Sequence, residues 1–452
     1  MHRWSRYVLV AVGVMTLVAG AVPAGADHDT RPHTQNMRAA GHSPHASTFL
    51  GLPDGQRHVN SDIAFWGNLA FHGNYDGWRV IDITDADTPT ELAHPSCNGD
   101  QGDIVVWDNV LVRSWNSPKT TDRTCLGQTV PAGWEGVHVF DITDPVNPSL
   151  EASVELPCGS HTVTLVPDLG KGRVIVYSNV SSGCTKDGVA LGNAMDIIEV
   201  PLDNLAGANR LGDEPIIGGT LGSNNGCHDA GVILGDVNLL ACASGHAANV
   251  FSIGAPHGGT LEDPEFLYNV EEQDAFGNKV GVGGRWHSAA FTWDGEVLIL
   301  GWEPGGGAAA ECESTDPAIK KSMFFYDAET GAKLGQWTLP RPQDGPGENC
   351  TIHNYNILPF ADRYIAVSGN YQAGTWVTEF TNPASPTTVA WSDPPPLSPP
   401  DLGGAWSSYS YNGKVYESEI TKGLNVFIVT DKQVKGARKL PHLNPQTQEF
   451  SL

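Results

Sequence analysis

Beyond residue 57 the apolar positions fall into short runs of β-branched and aromatic residues, separated by Gly, Asn, Asp and Pro. No stretch keeps the 3.6-residue period of a long amphipathic helix, so the pattern predicts an all-β chain of short strands. The runs repeat. Leu69-Ala-Phe-His-Gly-Asn-Tyr75 followed by Gly77-Trp-Arg-Val-Ile-Asp-Ile-Thr84 matches Tyr364-Ile-Ala-Val-Ser-Gly-Asn-Tyr371 followed by Gly374-Thr-Trp-Val-Thr-Glu-Phe-Thr381. The third strand of that unit recurs as Val137-His-Val-Phe-Asp-Ile-Thr-Asp-Pro145, and again near Asn193, Met323 and Gly423. Seven units are expected, near 58–98, 99–157, 158–225, 226–283, 284–349, 350–402 and 403–446. Four strands per unit give a seven-bladed β-propeller with four-stranded blades, in which closure of the ring hides the sheet edges.

The Val-Ile-Asp-Ile-Thr-Asp and Val-Phe-Asp-Ile-Thr-Asp-Pro stretches resemble the LVIVD-repeat proteins, a propeller family, over about His58 to His442. The resemblance implies a fold and no particular reaction. The Asp residues of these stretches are expected to be turn formers that accept backbone N–H groups just ahead of them. No D-x-D-x-D-G calcium loop occurs.

Composition adds the setting. A basic start (His2, Arg3, Arg6), an apolar run from Tyr7 to Val22 and Ala24-Gly25-Ala26 fit a cleaved signal peptide over 1–26. The polar, His-rich arm 27–57 is expected to be partly disordered, with 447–452 a short tail. No second long apolar run follows, so a secreted, extracellular monomer without a membrane span is expected. The net charge of −25 and the lack of a Lys/Arg cluster argue against nucleic acid as a partner.

Histidine is scarce, 16 in 452 residues. Yet stepping back six residues from the turn that ends the first strand of each unit reaches Asn60, Gln101, His161, His228, His287, His353 and Ala405. Others, such as His94 and His257, keep no such register. The first strand of a blade lines the propeller axis, so His161, His228, His287 and His353 should face one another at one height. Two readings stand. Neutral imidazoles around a centre could ligate a divalent transition metal (Fe, Cu, Zn or Mn) with one side open. Alternatively each imidazole bonds a neighbouring backbone carbonyl and locks blade to blade.

First strands start, and second strands end, on the same face. That face carries long loops near Asn116–Glu135, Ser181–Gly192 and Glu303–Lys321. It also gathers Trp115, Asn116, His246, Trp302, Glu303, Tyr371 and Glu419 at the ends of second strands. Glu303 or Glu419 is a candidate general base beside a metal-bound water, and Asp229 a candidate acceptor for an imidazole N–H. Eight cysteines without a C-x-x-C pair favour disulfides. Pairing neighbours gives Cys97–Cys125, Cys158–Cys184, Cys227–Cys242 and Cys312–Cys350. No G-x-S-x-G or H-E-x-x-H motif appears. Two function classes remain: a metal-dependent oxidoreductase or hydrolase acting on a small molecule, or a non-enzymatic scaffold offering this face to an extracellular protein or glycan.

Overall fold

The computed structural model describes residues 32–49, 51, 57–180, 183–218, 226–271, 284–304, 307–345 and 347–452. The expected signal segment 1–26 lies outside them. No α-helix occurs among the described residues, and no helix there is long and apolar enough to cross a membrane.

The strands form a β-propeller arrangement. Innermost strands run over Asn60–Trp66, Ile104–Trp107, Thr162–Asp168, Asp229–Ile233, Arg285–Phe291, Asn354–Ile357 and Ala405–Tyr411. Each starts an antiparallel meander running outward. These inner strands are buried on both faces, whereas outer strands such as Asn209–Pro215 alternate between exposed and half-buried residues. Adjacent meanders pack face to face. One shared core joins Val105, Val112 and Val139 to Val163, Val174 and Val176.

The expectation of seven separate sheets of four strands needs correction. Three sheets have four strands, two have five and one has eight. The eight-stranded sheet joins two meanders through the parallel contact Asn354–Ser407 and Tyr355–Ser408. The two five-stranded sheets each gain a short strand from the C-terminal segment.

Both chain ends add strands to the ring for one reason: each finds unpaired backbone groups to satisfy. Part of the arm is an ordered strand. Met37–Pro44 forms the outermost strand of the last meander, antiparallel to Gly423–Val429. It skips one residue between Ala39 and Gly41, and every other outer strand slips against its partner in the same way. The N-terminal strand therefore supplies the outer strand of the last meander, and Leu440–Asn444 does not.

The C-terminal segment instead crosses the axis at the far ends of the inner strands. His442–Leu443 pairs with Phe65–Trp66, and Thr447–Gln448 runs parallel to Val232–Ile233. The Asn444 side chain accepts from Val106 N–H (2.8 Å) and donates to Val106 C=O (2.9 Å). Thr447 Oγ1 donates to Leu165 C=O (2.8 Å), and Gln448 Nε2 to Phe291 C=O (3.0 Å). Residues 447–452 are thus part of a plug over one channel mouth rather than a tail.

The Asp-Ile-Thr-Asp stretches do form turns. Asp82 accepts from Thr84 N–H (2.8 Å) and Asp141 from Thr143 N–H (2.7 Å). Four disulfides join Cys97 to Cys125, Cys158 to Cys184, Cys227 to Cys242 and Cys312 to Cys350. Two of the long loops carry small hairpins, at Arg123–Cys125 with Gln128–Val130 and at Cys184–Lys186 with Val189–Leu191.

Candidate functional site

Opposite the plug, the ends of the inner strands bring the four aligned histidines into one arc. Ring centroids lie 4.4 Å apart for His161–His228, 4.2 Å for His228–His287 and 4.3 Å for His287–His353. Tyr371 extends the arc, 4.4 Å from His353. The rings border a small cavity of about 10 Å³, walled further by Gln101, Asp62, Asp103 and Trp406. That is about the room one water needs, so the space suits a single ion or water.

Hydrogen bonds set the imidazole tautomers. His228 Nδ1 meets the His287 carbonyl at 3.3 Å, and His353 Nδ1 meets the Trp406 carbonyl at 2.5 Å. A carbonyl only accepts, so both Nδ1 atoms carry hydrogen and both Nε2 atoms keep a lone pair. His161 Nδ1 lies 3.1 Å from Asn116 Oδ1, and its Nε2 3.2 Å from the Gln101 amide. His287 differs. Its Nδ1 is buried with no hydrogen-bond partner, and its Nε2 lies 3.8 Å from Glu303 Oε1.

All four imidazoles are held neutral. Burial, with Arg285 nearby, pulls His161 down to about 3, and burial pulls His353 to about 3. His228 and His287 lie well below the ordinary range through burial and the neighbouring rings. Burial raises the Glu303 carboxyl to about 7, with Arg285 opposing. Neutral imidazole is the form that binds metal.

The compact ligand group is not the four-histidine set. One ligand atom each from His228, His287 and Glu303 lies within 4.8 Å of the others, and all three residues are buried. Ligands 2.0–2.1 Å from a tetrahedral zinc sit about 3.4 Å apart, so small side-chain shifts suffice. The reason is geometric: four neighbours on an arc put His161 and His353 at opposite ends, whereas Glu303 ends the strand paired with that of His287. Glu303, expected as a base, is placed as a ligand candidate, with His161 and His353 flanking.

Asp229 does not face a ring. Its Oδ1 accepts from Ala230 N–H (2.8 Å), and with Asp62 and Asp103 it forms a deeper acidic layer of the axis. Burial and mutual repulsion push Asp103 and Asp229 well above the ordinary carboxyl range. Asp62 Oδ2 accepts from Tyr409 Oη (2.8 Å), from Gln446 Nε2 (3.0 Å) of the plug and from Asn354 Nδ2 (3.3 Å). Asp62 and Asp103 escaped notice although each lies two residues past a ring position, Asn60 and Gln101.

Other candidates have structural work. Glu419 accepts from Gly404 N–H (2.9 Å) and Thr421 N–H (3.0 Å), which ties down the turn after its strand. Trp302 packs edge-on against Trp286 in the core, 5.3 Å between centroids. His246 lies 6.3 Å from the Trp302 ring, outside the arc. Asn60 turns away from the cavity toward the Glu419 carbonyl (2.9 Å). Tyr371 adopts φ 50°, unusual for a bulky residue and frequent at functional sites. Gly307 packs so closely on its ring that a Cβ there would come within 2.3 Å.

No known protein-family model matches this chain, and no curated protein is similar to it.

Proposed function

We propose that the chain is an exported propeller of the LVIVD-repeat kind that holds one transition-metal ion in its axial cavity. With the eight-stranded sheet counted as two meanders, the ring has seven blades. His228, His287 and Glu303 ligate the ion, His161 and His353 border it, and the remaining coordination positions face the cavity. Two imidazoles and one carboxylate with open positions are the donor set of non-haem iron oxygenases and of zinc hydrolases alike. The proposed activity is oxidation or hydrolysis of a small molecule entering from the disulfide-stapled face.

One observation carries this reading. Three buried ligand-type side chains converge, His228 and His287 on the cavity and Glu303 beside His287, and one of their imidazole nitrogens, His287 Nδ1, has no hydrogen-bond partner. A buried polar atom left unpaired costs about 1–3 kcal/mol, which a bound ion or its water would offset. The carbonyl bonds of His228 and His353 fit as well, since a metal-bound imidazole usually donates its other N–H to such a group.

The same two bonds favour the second reading, a scaffold for an extracellular protein or glycan in which histidines join one inner strand to the next. Elemental analysis of the purified, natively folded protein separates the two. Stoichiometric Fe, Cu, Zn or Mn, lost in the His228→Ala/His287→Ala variant and reduced in Glu303→Gln, supports the metal site. A metal-free protein that binds none of these ions on addition overturns it.

A further inference from the structure

A second cluster of histidines lies on the same face of the ring, at the seam where the two ends of the propeller meet. His45 follows the N-terminal strand Met37–Pro44, which edges the last meander. Asp76 sits in the turn between Leu69–Asn74 and Gly77–Asp82 of the first meander, and His94 follows its outer strand Thr90–Ala93. One ligand atom from each of His45, Asp76 and His94 lies within 4.8 Å of the other two. His58 approaches the same carboxylate, with Nδ1 2.5 Å from Asp76 Oδ2. All three core members are half-buried, so solvent and ions reach them.

Hydrogen bonds leave this cluster rich in acceptors. The Asn60 amide donates to the carbonyls of His45 (3.3 Å) and Glu419 (2.9 Å), so its Oδ1 is the atom facing His45 Nδ1 at 2.8 Å. His45 therefore carries its hydrogen on Nδ1 and has a lone pair on Nε2. His94 Nε2 lies 3.2 Å from the Asn74 amide nitrogen, which can only donate, so this ring nitrogen too presents a lone pair. It does so 3.4 Å from Asp76 Oδ1. Asp76 Oδ1 is buried and has no hydrogen-bond partner, and the same holds for Oδ1 of Asn74, a fully buried side chain. Two orphaned acceptor oxygens beside two imidazole lone pairs are a polarity that a cation relieves. Of the two guanidiniums that bear on the cluster, Arg79 is engaged by Glu91 at 2.6 Å, and Arg113 donates to the carbonyls of Asn74 (2.9 Å) and Asp100 (3.0 Å).

We propose that His45, Asp76 and His94, with His58 as a fourth contributor, form a second metal site for a borderline divalent cation such as Zn²⁺. Imidazole-rich donor sets with one carboxylate select such ions over Mg²⁺ and Ca²⁺, which prefer all-oxygen shells. The ion would bind one residue from the N-terminal segment and two from the first meander. It would act as a clasp across the closure of the ring, stabilising the folded state by binding it selectively.

The test uses the full chain, stripped of metal and then dialysed against buffered Zn²⁺. Bound zinc is counted by elemental analysis, and thermal midpoints are recorded with and without zinc. If both sites exist, the parent binds two ions, His94→Gln or Asp76→Asn binds one, and His228→Gln/His287→Gln binds one. At the seam, affinity should fall at least tenfold in His94→Gln. Zinc should raise the midpoint of the axial variant but should raise that of His94→Gln less than that of the parent. Unchanged zinc content in both His94→Gln and Asp76→Asn overturns the seam site. Loss of one ion in those variants, with unchanged content in the axial variant, supports the seam and refutes the axial site instead.

Discussion

Asn444 offers a quantitative check on the plug. Its side chain is 2 % exposed and makes a two-point contact with the backbone of Val106, which sits on the inner strand Ile104–Trp107. Replacing it by Ala leaves one N–H and one C=O of a buried strand without partners. Each orphaned group costs about 1–3 kcal/mol, so Asn444→Ala should destabilise the fold by roughly 2–6 kcal/mol, less if a water enters the gap. Asn444→Asp should be worse, because its carboxylate would face the Val106 carbonyl with no hydrogen to donate. The assay is urea unfolding with the disulfides intact, alongside amide hydrogen exchange at Val106. Exchange there should accelerate well beyond the change at Leu111, a buried residue of the next strand. A variant within about 0.5 kcal/mol of the parent, with Val106 exchange unchanged, would show that the plug is not seated on the channel mouth.

Three further outcomes are expected. His138 is buried, pulled down to about 3 by burial and then by Arg113, while the unfolded chain takes up its proton near 6.5. The unfolded state thus binds the extra proton between those values. Stability should fall as pH drops through this window, by up to about 1.4 kcal/mol per pH unit from this residue, and His138→Gln should flatten the slope in urea titrations. At Gly41 a Cβ would come within 2.3 Å of the Ala86 carbonyl oxygen, so Gly41→Ala should cost about 1–3 kcal/mol and expose the N-terminal strand to limited proteolysis. Cys158–Cys184 closes a separation of 26 residues, and replacing both by Ser should cost about 3 kcal/mol, with faster exchange over residues 183–191.

Much of the architecture was legible because a repeated unit states the same local preferences many times. The Asp-Ile-Thr-Asp turns show why: Asp82 and Asp141 bond groups two residues ahead, a contact that needs no distant partner. The histidine register was legible for a related reason, since equal offsets from equal turns reach equal heights around an axis. The choice of ligand group was not. Whether His161 or Glu303 sits beside His287 depends on the curvature of the arc and on which strand pairs with Arg285–Phe291. The seam cluster was illegible for the same cause, because His45 and His94 are 49 positions apart and share no register.

The sequence by itself determined the all-β class, the repeated strand pattern and the histidines at the head of the inner strands, all of which rest on side-chain alternation and turn chemistry within a few residues. Only the tertiary structure decided how the ring is completed. An outer strand of the last meander and a cover for the channel mouth can be supplied by any segment with free backbone groups and matching side chains. Met37–Pro44 and residues 442–448 fill those places through contacts hundreds of residues away in sequence. Such pairings depend on where the closing ring brings its ends, and no local pattern encodes that.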